Sequence, residues 1–247
     1  MKKAVIILTI IIAVIVAILL TLLGLAKSKK ILINPWFVNE EKSTIGVDIS
    51  SYQADVDMEK LKEQGIEFIY IKATEGSSHQ DSRFSENWAN AKEANLVAGA
   101  YHFFSYDSPG KTQAENFIET VGTDIKGRLL PAVDVELYAD KEENHPDKEA
   151  VVTELSDFLN ILEKTYGVKP IIYTHSSIYE EYFDEDFTEY RVWMASLYTP
   201  LFLNYNGDWD IWQYLNKGEL EGYSGGEKYI DLDVLNRHTK LDDLIVK

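Results

Sequence analysis

The chain has 247 residues, enough for one large α/β barrel or two smaller domains, so core size is no limit. Acidic residues number 41 against 24 basic ones, and five of the lysines fall in the first thirty positions; the remaining 19 basic residues leave a net charge of −22, which excludes an electrostatic footprint for nucleic acid. A 45% hydrophobic and 12% aromatic content excludes a disordered chain, and the lack of cysteine excludes disulfides, thiol nucleophiles, iron–sulfur clusters and cysteine-ligated zinc.

Residues 4–26 form an uncharged run, AVIILTIIIAVIVAILLTLLGLA, with Lys2 and Lys3 before it and Lys27, Lys29 and Lys30 after it. A bilayer core needs roughly 20 apolar residues in a helix, whereas the core of a cleaved signal has about 7 to 15. The run therefore predicts an N-terminal transmembrane signal anchor over residues 1–26; a cleaved signal ending near Ala26 is the competing reading, and both export the remainder of the chain. Lysines on both sides leave the orientation to be decided by function. Residues 27–42 read as a short stalk, with Trp36 and Phe37 lying at the membrane interface or against the domain that begins at residue 43.

From residue 43 onward short apolar runs alternate with longer amphipathic ones, the signature of an α/β fold. Strands are predicted over 44–50, 67–73, 96–104, 129–136, 169–174, 191–196, 208–214 and 229–235, and helices over 57–64, 84–94, 110–122 and 148–166. The last helix carries Val152, Leu155, Phe158, Leu159 and Leu162 on one stripe, and Gly65, Gly122 and Gly167 stand where helices should close. After the fifth strand the gaps are too short or too aromatic for full helices, apart from a candidate over 177–183. The expected architecture is a TIM-like (β/α)5(β)3 barrel preceded by one transmembrane helix, occupying residues 43–247.

Such barrels place chemistry at strand ends, and the polar residues there are mainly acidic: Asp48, Lys72 with Glu75, His102, Asp134 with Glu136, and Asp231 with Asp233. Residues two apart on a strand share a face, so Asp134 and Glu136 in AVDVE point the same way, into a strand otherwise apolar. Two inward carboxyls held close raise one pKa. Glycoside hydrolysis uses that arrangement, with one carboxyl protonated as general acid and its neighbour ionised beside an oxocarbenium-like centre. The five histidines lack metal-ligand spacing, and neither a nucleophile elbow nor a phosphate-cradling glycine loop occurs, so no metal or cofactor is expected. His102 reads as a barrel histidine hydrogen-bonded in support of a carboxylate.

Seven segments, GVDISSYQ (46–53), FIYIKATEGSSHQDSRFSENWANAKEANLVAGAYHFF (68–104), PAVDVE (131–136), IIYT (171–174), WMASLY (193–198), IWQY (211–214) and IDLDVL (230–235), resemble in order and spacing glycoside hydrolase family 25, the N,O-diacetylmuramidases or Chalaropsis-type lysozymes. The resemblance implies hydrolysis of the β-1,4 bond between N-acetylmuramic acid and N-acetylglucosamine in peptidoglycan. It assigns Glu136 as general acid and Asp134 as the second carboxylate, with Asp48 and Asp231 completing an acidic cluster. Asp233 stands where the family motif usually has Asn, and is expected to add charge near the mouth, raising its neighbour's pKa or pairing with Arg237 or Lys228. A glycan groove needs aromatic platforms with polar anchors; the candidates are Tyr101, Phe103, Tyr173, Trp193 and Trp212, with Gln53, Lys72, Glu75 and Gln213. The expected partners are peptidoglycan glycan strands and the cell membrane, with the barrel outside. A chitinase-like hydrolase and an anchored, non-catalytic peptidoglycan-binding scaffold are the alternatives.

Overall fold

The computed structural model of the protein describes residues 2–183 and 186–247. The first element, α1 (Lys2–Lys27), is an apolar helix of mean hydropathy 3.4 whose apolar window is wholly unburied. Lys29 ends it by adopting a left-handed conformation (φ 58°), which turns the N–H groups of Lys29 and Lys30 back onto the carbonyls of Ala26 and Leu25 at 2.8 and 2.9 Å.

Eight strands close into a barrel: β1 (Ile45–Ile49), β2 (Ile66–Glu75), β4 (Val97–Phe103), β5 (Ala132–Val135), β6 (Ile171–His175), β7 (Arg191–Ala195), β8 (Ile211–Gly218) and β9 (Ile230–Leu235). The two-residue β3 (His79–Gln80) pairs with the end of β2 outside the ring. β5 is shorter than its apolar run predicts because Leu129 and Leu130 leave the strand direction to bond Ala98 and Leu244, capping the barrel floor. Four helices cover the first strands: α2 (Met58–Glu63), α3 (Phe84–Glu93), α4 (Gly110–Val121) and α5 (Lys148–Tyr166). Asp57 and Asp147 cap α2 and α5 by accepting from the N–H groups of Lys60 and Ala150 at 3.0 and 3.1 Å, and Gly167, at φ 71°, closes α5 where only glycine is unstrained. The buried stripe of α5 contains Val151, not Val152, beside Leu155, Phe158, Leu159 and Leu162. Ser176–Ile178 (α6) and a π turn over Tyr179–Phe183 fill the candidate helix after β6.

Seven strands run parallel, while β9 runs antiparallel to both β8 and β1 and closes the ring. No helix lies between β8 and β9, so the chain has no crossover and must reverse. The sequence reading of Asp231 as a residue at a strand's C-terminal end is corrected accordingly. Asp231 is the second residue of β9, and the reversal itself brings it beside Asp48 in register at the mouth.

Alternation along the strands sorts the side chains. Inside, the lower layers are apolar and bulky, with Phe68, Tyr70, Ile171, Trp193, Ile211 and Leu235 fully or almost fully buried. Gly46 and Gly99 make room for them, since a Cβ on either would lie 2.3 to 2.4 Å from the rings of Phe68 and Tyr70. Moving up each strand, the inward position turns polar: Gly46 to Asp48, Tyr70 to Lys72, Ala132 to Asp134, Tyr173 to His175, Ile211 to Gln213. Outward residues such as Ile69, Val133, Val135, Ile172 and Met194 form the second core under the helices.

The last strands have no helical cover. Residues 33–40 pack there: Ile33 and Asn34 are buried, Asn34 Nδ2 donates to the carbonyls of Ser196 and Tyr214 at 2.5 and 2.9 Å, and Tyr214 donates its hydroxyl to Glu40 at 2.8 Å.

Candidate active site

A cleft of about 440 Å³ opens at the top of the barrel. Its acidic floor comes from three strands of the ring. Asp48 is the penultimate residue of β1, Asp134 lies in β5, Glu136 follows directly on the same face, and Asp231 is the second residue of β9. Asp134 is 8% exposed and its Oδ1 has no hydrogen-bond partner, whereas the Glu136 side chain, at 29%, reaches the open cleft. His175 Nε2 lies 3.8 Å from Glu136, an ion pair only when the imidazole is protonated.

These positions give the carboxyls unequal acidities. Burial, and then the charges of Glu136 and Asp48, push Asp134 well above the ordinary range. Burial also works against ionised Glu136, but His175, the Tyr173 hydroxyl and Lys72 outweigh it and hold Glu136 below that range. Asp231 is raised by burial and by Asp48 and Glu136. Asp48 is raised by burial and by Asp233, although Gln213 Nε2 donates to it at 2.6 Å. Gln213 is oriented in turn by the Tyr173 hydroxyl, which donates to its Oε1 at 2.8 Å. The cleft therefore holds more carboxyls than it can ionise together, and its surroundings favour protonation of Asp134 over Glu136.

Most of the predicted groove residues line this cleft. Tyr101, Phe103, Tyr173 and Trp193 form its aromatic walls, and Gln53, Lys72 and Gln213 are polar points on it. Lys72 lies 4.8 Å from the centre of the Phe103 ring and 2.6 Å from Glu75, a cation facing the acidic floor. Gln53 is held by the Ser50 N–H, which donates to its Oε1 at 2.9 Å. Trp193 presents only an edge, being stacked on Tyr70 at 4.7 Å and 2% exposed.

Four expectations need correction. Trp212 does not reach the cleft: Gln213 faces inward, so its neighbour must face outward, where Trp212 packs against Trp209 and donates to the Ser196 carbonyl. Glu75 lies outside the cleft wall and touches it only through Lys72. His102, between inward Tyr101 and Phe103, also points outward. It bonds Thr74 and Gln113 rather than a carboxylate, and burial lowers its pKa to about 4. Asp233 lies below the mouth rather than at it and pairs with neither Arg237 nor Lys228, and the neighbour it raises is Asp48. It is fully buried beneath Asp48, accepts from Trp193 Nε1 at 2.7 Å, and leaves Oδ2 without a hydrogen-bond partner.

The sequence reading passed over His175, although Ile171, Tyr173 and His175 alternate onto one face and so announce it. Asn216, Lys217, Glu227 and Tyr229 also line the cleft, supplied by the end of β8 and the β8–β9 turn, where no periodic signal marks them. Among the described residues no group of three or more His, Cys, Asp or Glu side chains is arranged to hold a metal ion.

The family model for glycosyl hydrolases family 25 matches residues 47–223. A family 25 glycosyl hydrolase from Bacillus anthracis superposes with a TM-score of 0.75 at 44% identity, covering 81% of this chain and 93% of that one. An Escherichia coli K12 protein, the uncharacterised YegX, is 34% identical over 197 residues, 77% of this chain and 69% of its own length. The autolytic lysozyme of Clostridium acetobutylicum is 31% identical over 189 residues, 76% of this chain and 54% of that protein.

Proposed function

Since the chain belongs to glycosyl hydrolase family 25 and is a peptidoglycan hydrolase of the lysozyme class, we propose that it cleaves the β-1,4 bond between N-acetylmuramic acid and N-acetylglucosamine, with Glu136 as general acid and Asp134 as the carboxylate beneath the charge that develops at the sugar ring. The reading is carried by one observation: Glu136 stands at the open rim of the cleft directly above buried Asp134, on the same face of β5.

A glycan filling the cleft expels the water that hydrates Glu136. The loss of that water adds to the burial that already opposes the Glu136 anion, and the proton moves from Asp134 to Glu136, so that the acid lies at the rim next to the leaving oxygen and the anion lies below. Protonation of that oxygen by Glu136 breaks the glycosidic bond, ionised Asp134 stabilises the oxocarbenium-like centre, and water then adds to that carbon, giving up a proton that restores the acid. Asp48 and Asp231 accept from sugar hydroxyl or amide groups, with Asp48 positioned through Gln213 and Tyr173. Tyr101 and Phe103 offer apolar faces to the rings.

The burial that raises Asp134, while His175 lowers Glu136, favours a second reading, in which the two carboxyls exchange roles. Two substrates separate them. Peptidoglycan digested by the parent should yield new muramic-acid reducing ends by mass spectrometry, and Glu136→Gln should lower that rate about 10²- to 10⁴-fold. An aryl glycoside whose leaving group needs no protonation should restore turnover to Glu136→Gln but not to Asp134→Asn. Rescue of Asp134→Asn alone would exchange the roles, and glycan that stays intact while retaining the protein would replace the enzyme by a binding scaffold.

We further propose that residues 1–26 are a signal anchor and 27–42 its stalk, of which residues 33–40 pack on the catalytic barrel of 43–247, held outside the cell membrane where peptidoglycan lies. The length and hydropathy of α1 support this. Membrane fractions extracted at high pH should keep the full-length chain; a shorter chain beginning near Lys27 in the soluble fraction would indicate cleavage instead.

A further inference from the structure

Outside α1, the large apolar side chains exposed among the described residues are Trp36, Phe37, Tyr52, Phe202 and Leu203. Tyr52 belongs to the rim of the cleft. The other four, 54 to 68% exposed, gather at one place, where the rings of Phe37 and Phe202 meet edge to face at 5.6 Å. Scattered apolar side chains on a surface mean little, but a concentration of this kind marks a contact surface.

Its location identifies what it touches. Trp36 and Phe37 follow Asn34, whose side chain is buried against Ser196 and Tyr214, and Phe202 and Leu203 belong to the loop after β7. That loop is closed on itself: Ser196 donates to the Thr199 carbonyl at 2.7 Å, and Asn204 Nδ2 donates to Ser196 Oγ at 3.0 Å. The patch is thus part of the barrel. Six residues lie between Lys27, the end of α1, and Asn34, a span of at most about 25 Å, and the patch begins two residues beyond. Lys29 shortens the path further by resting 5.4 Å from the centre of the Tyr198 ring. Lys27, Lys29 and Lys30 lie in the same turn, cations suited to anionic headgroups on a protein otherwise strongly acidic.

We propose that Trp36, Phe37, Phe202 and Leu203 are seated in the interface of the lipid bilayer that α1 crosses, so that the barrel rests on the membrane with its cleft beside the lipid surface instead of swinging on a tether. The proposal rests on the reading of α1 as an uncleaved anchor. Amphipathic and aromatic side chains favour the headgroup level. The same loop contributes Leu197 to the cleft wall, so seating fixes the height at which the cleft meets glycan.

The chain has no cysteine, so single cysteines carrying an environment-sensitive dye report position cleanly. Full-length Phe202→Cys, Leu20→Cys and Lys126→Cys, the last on the loop before β5, would be reconstituted in phosphatidylcholine–phosphatidylglycerol vesicles with lipids spin-labelled near the headgroup or deep in the acyl chain. Seating predicts that the dye at 202 is quenched at least twofold by the shallow label, that at 20 by the deep label, and that at 126 by neither. Quenching at 20 without quenching at 202 overturns the seat while leaving the anchor. No quenching at 20 overturns the anchor and the seat with it. Dye at 202 that is shielded equally in detergent, together with disulfide-linked dimers of the unlabelled variant, assigns the patch to a second copy of the chain and overturns the lipid seat.

Discussion

The two sides of the barrel solve one problem in different ways. From β1 to β6 the outer face of the sheet is covered by α2 to α5, whose apolar stripes repeat with the helical period. From β7 to β9 the cover consists of residues 33–40, the loop after β7 and outward aromatics such as Trp212 and Tyr214. The helical side contributes the carboxyls Asp48, Asp134 and Glu136. The closing side contributes Gln213, which positions Asp48, Trp193, which donates to Asp233 beneath it, and Asp231, which joins them by strand reversal. A cover built from irregular segments is specified by individual hydrogen bonds, while one built from helices is specified by packed faces, and the two should fail differently.

The largest effect is expected on the helical side. At Gly110 a Cβ would lie 1.7 Å from the Glu154 carbonyl oxygen, so α4 and α5 meet there backbone to backbone. Gly110→Val should force the pair apart and cost about 3 kcal/mol or more, read as a lower urea midpoint with an unchanged slope. On the closing side Asn34→Ala removes one amide from between two carbonyls. A cost of about 1 to 3 kcal/mol is expected in detergent-solubilised protein, and no loss would mean that the segment merely lies along the barrel.

Inside the barrel, Asp233→Asn should stabilise. Burial raises the pKa of this carboxyl, with Asp231 adding to it, against the Trp193 bond. Its neutral form therefore supports the fold fully below the ordinary aspartate value near 3.9, and that support is lost as pH rises through the higher folded value. The amide keeps the acceptor for Trp193 and offers Asp48 a donor. Melting temperatures should favour the variant at pH 7 by an amount equivalent to about 1 kcal/mol, with the gap closing towards pH 4; a gap that widens in acid would show that Asp233 is ionised and well paired. The smallest effect is expected from Trp212→Phe, which keeps the outward packing. Its kcat/KM on glycan should remain within about twofold of the parent, because no contact with the transition state is lost.

Much of the scaffold is legible in the chain because it rests on short-range regularities. The five residues taken as the buried stripe of α5 missed only the shift from Val152 to Val151, and the helix-ending glycines and helix caps lie where local conformation requires them. The D-x-E pair in β5 is legible for the same reason, since period two places both carboxyls on one face. Applied further, that period excludes Trp212 once Gln213 is inward, excludes His102 beside Tyr101, and brings in His175 behind Tyr173. Glu75 escaped it because the register between β2 and β4 slips between Lys72 and Thr74. Asp233 escaped because nothing local says how deep in the barrel a strand position lies.

The amino-acid sequence by itself determined the succession of strands and helices, the apolar anchor-length segment and the paired carboxyls of β5, all of which follow from interactions between residues a few positions apart. Tertiary structure alone decided that β9 runs backwards and so brings Asp231 against Asp48, that Asp233 is sealed below them, and that Asn34 ties residues 33–40 to the barrel. Each of these depends on register and closure between segments distant in the chain, where one hydrogen-bonded partner among many is selected only when the whole ring is complete.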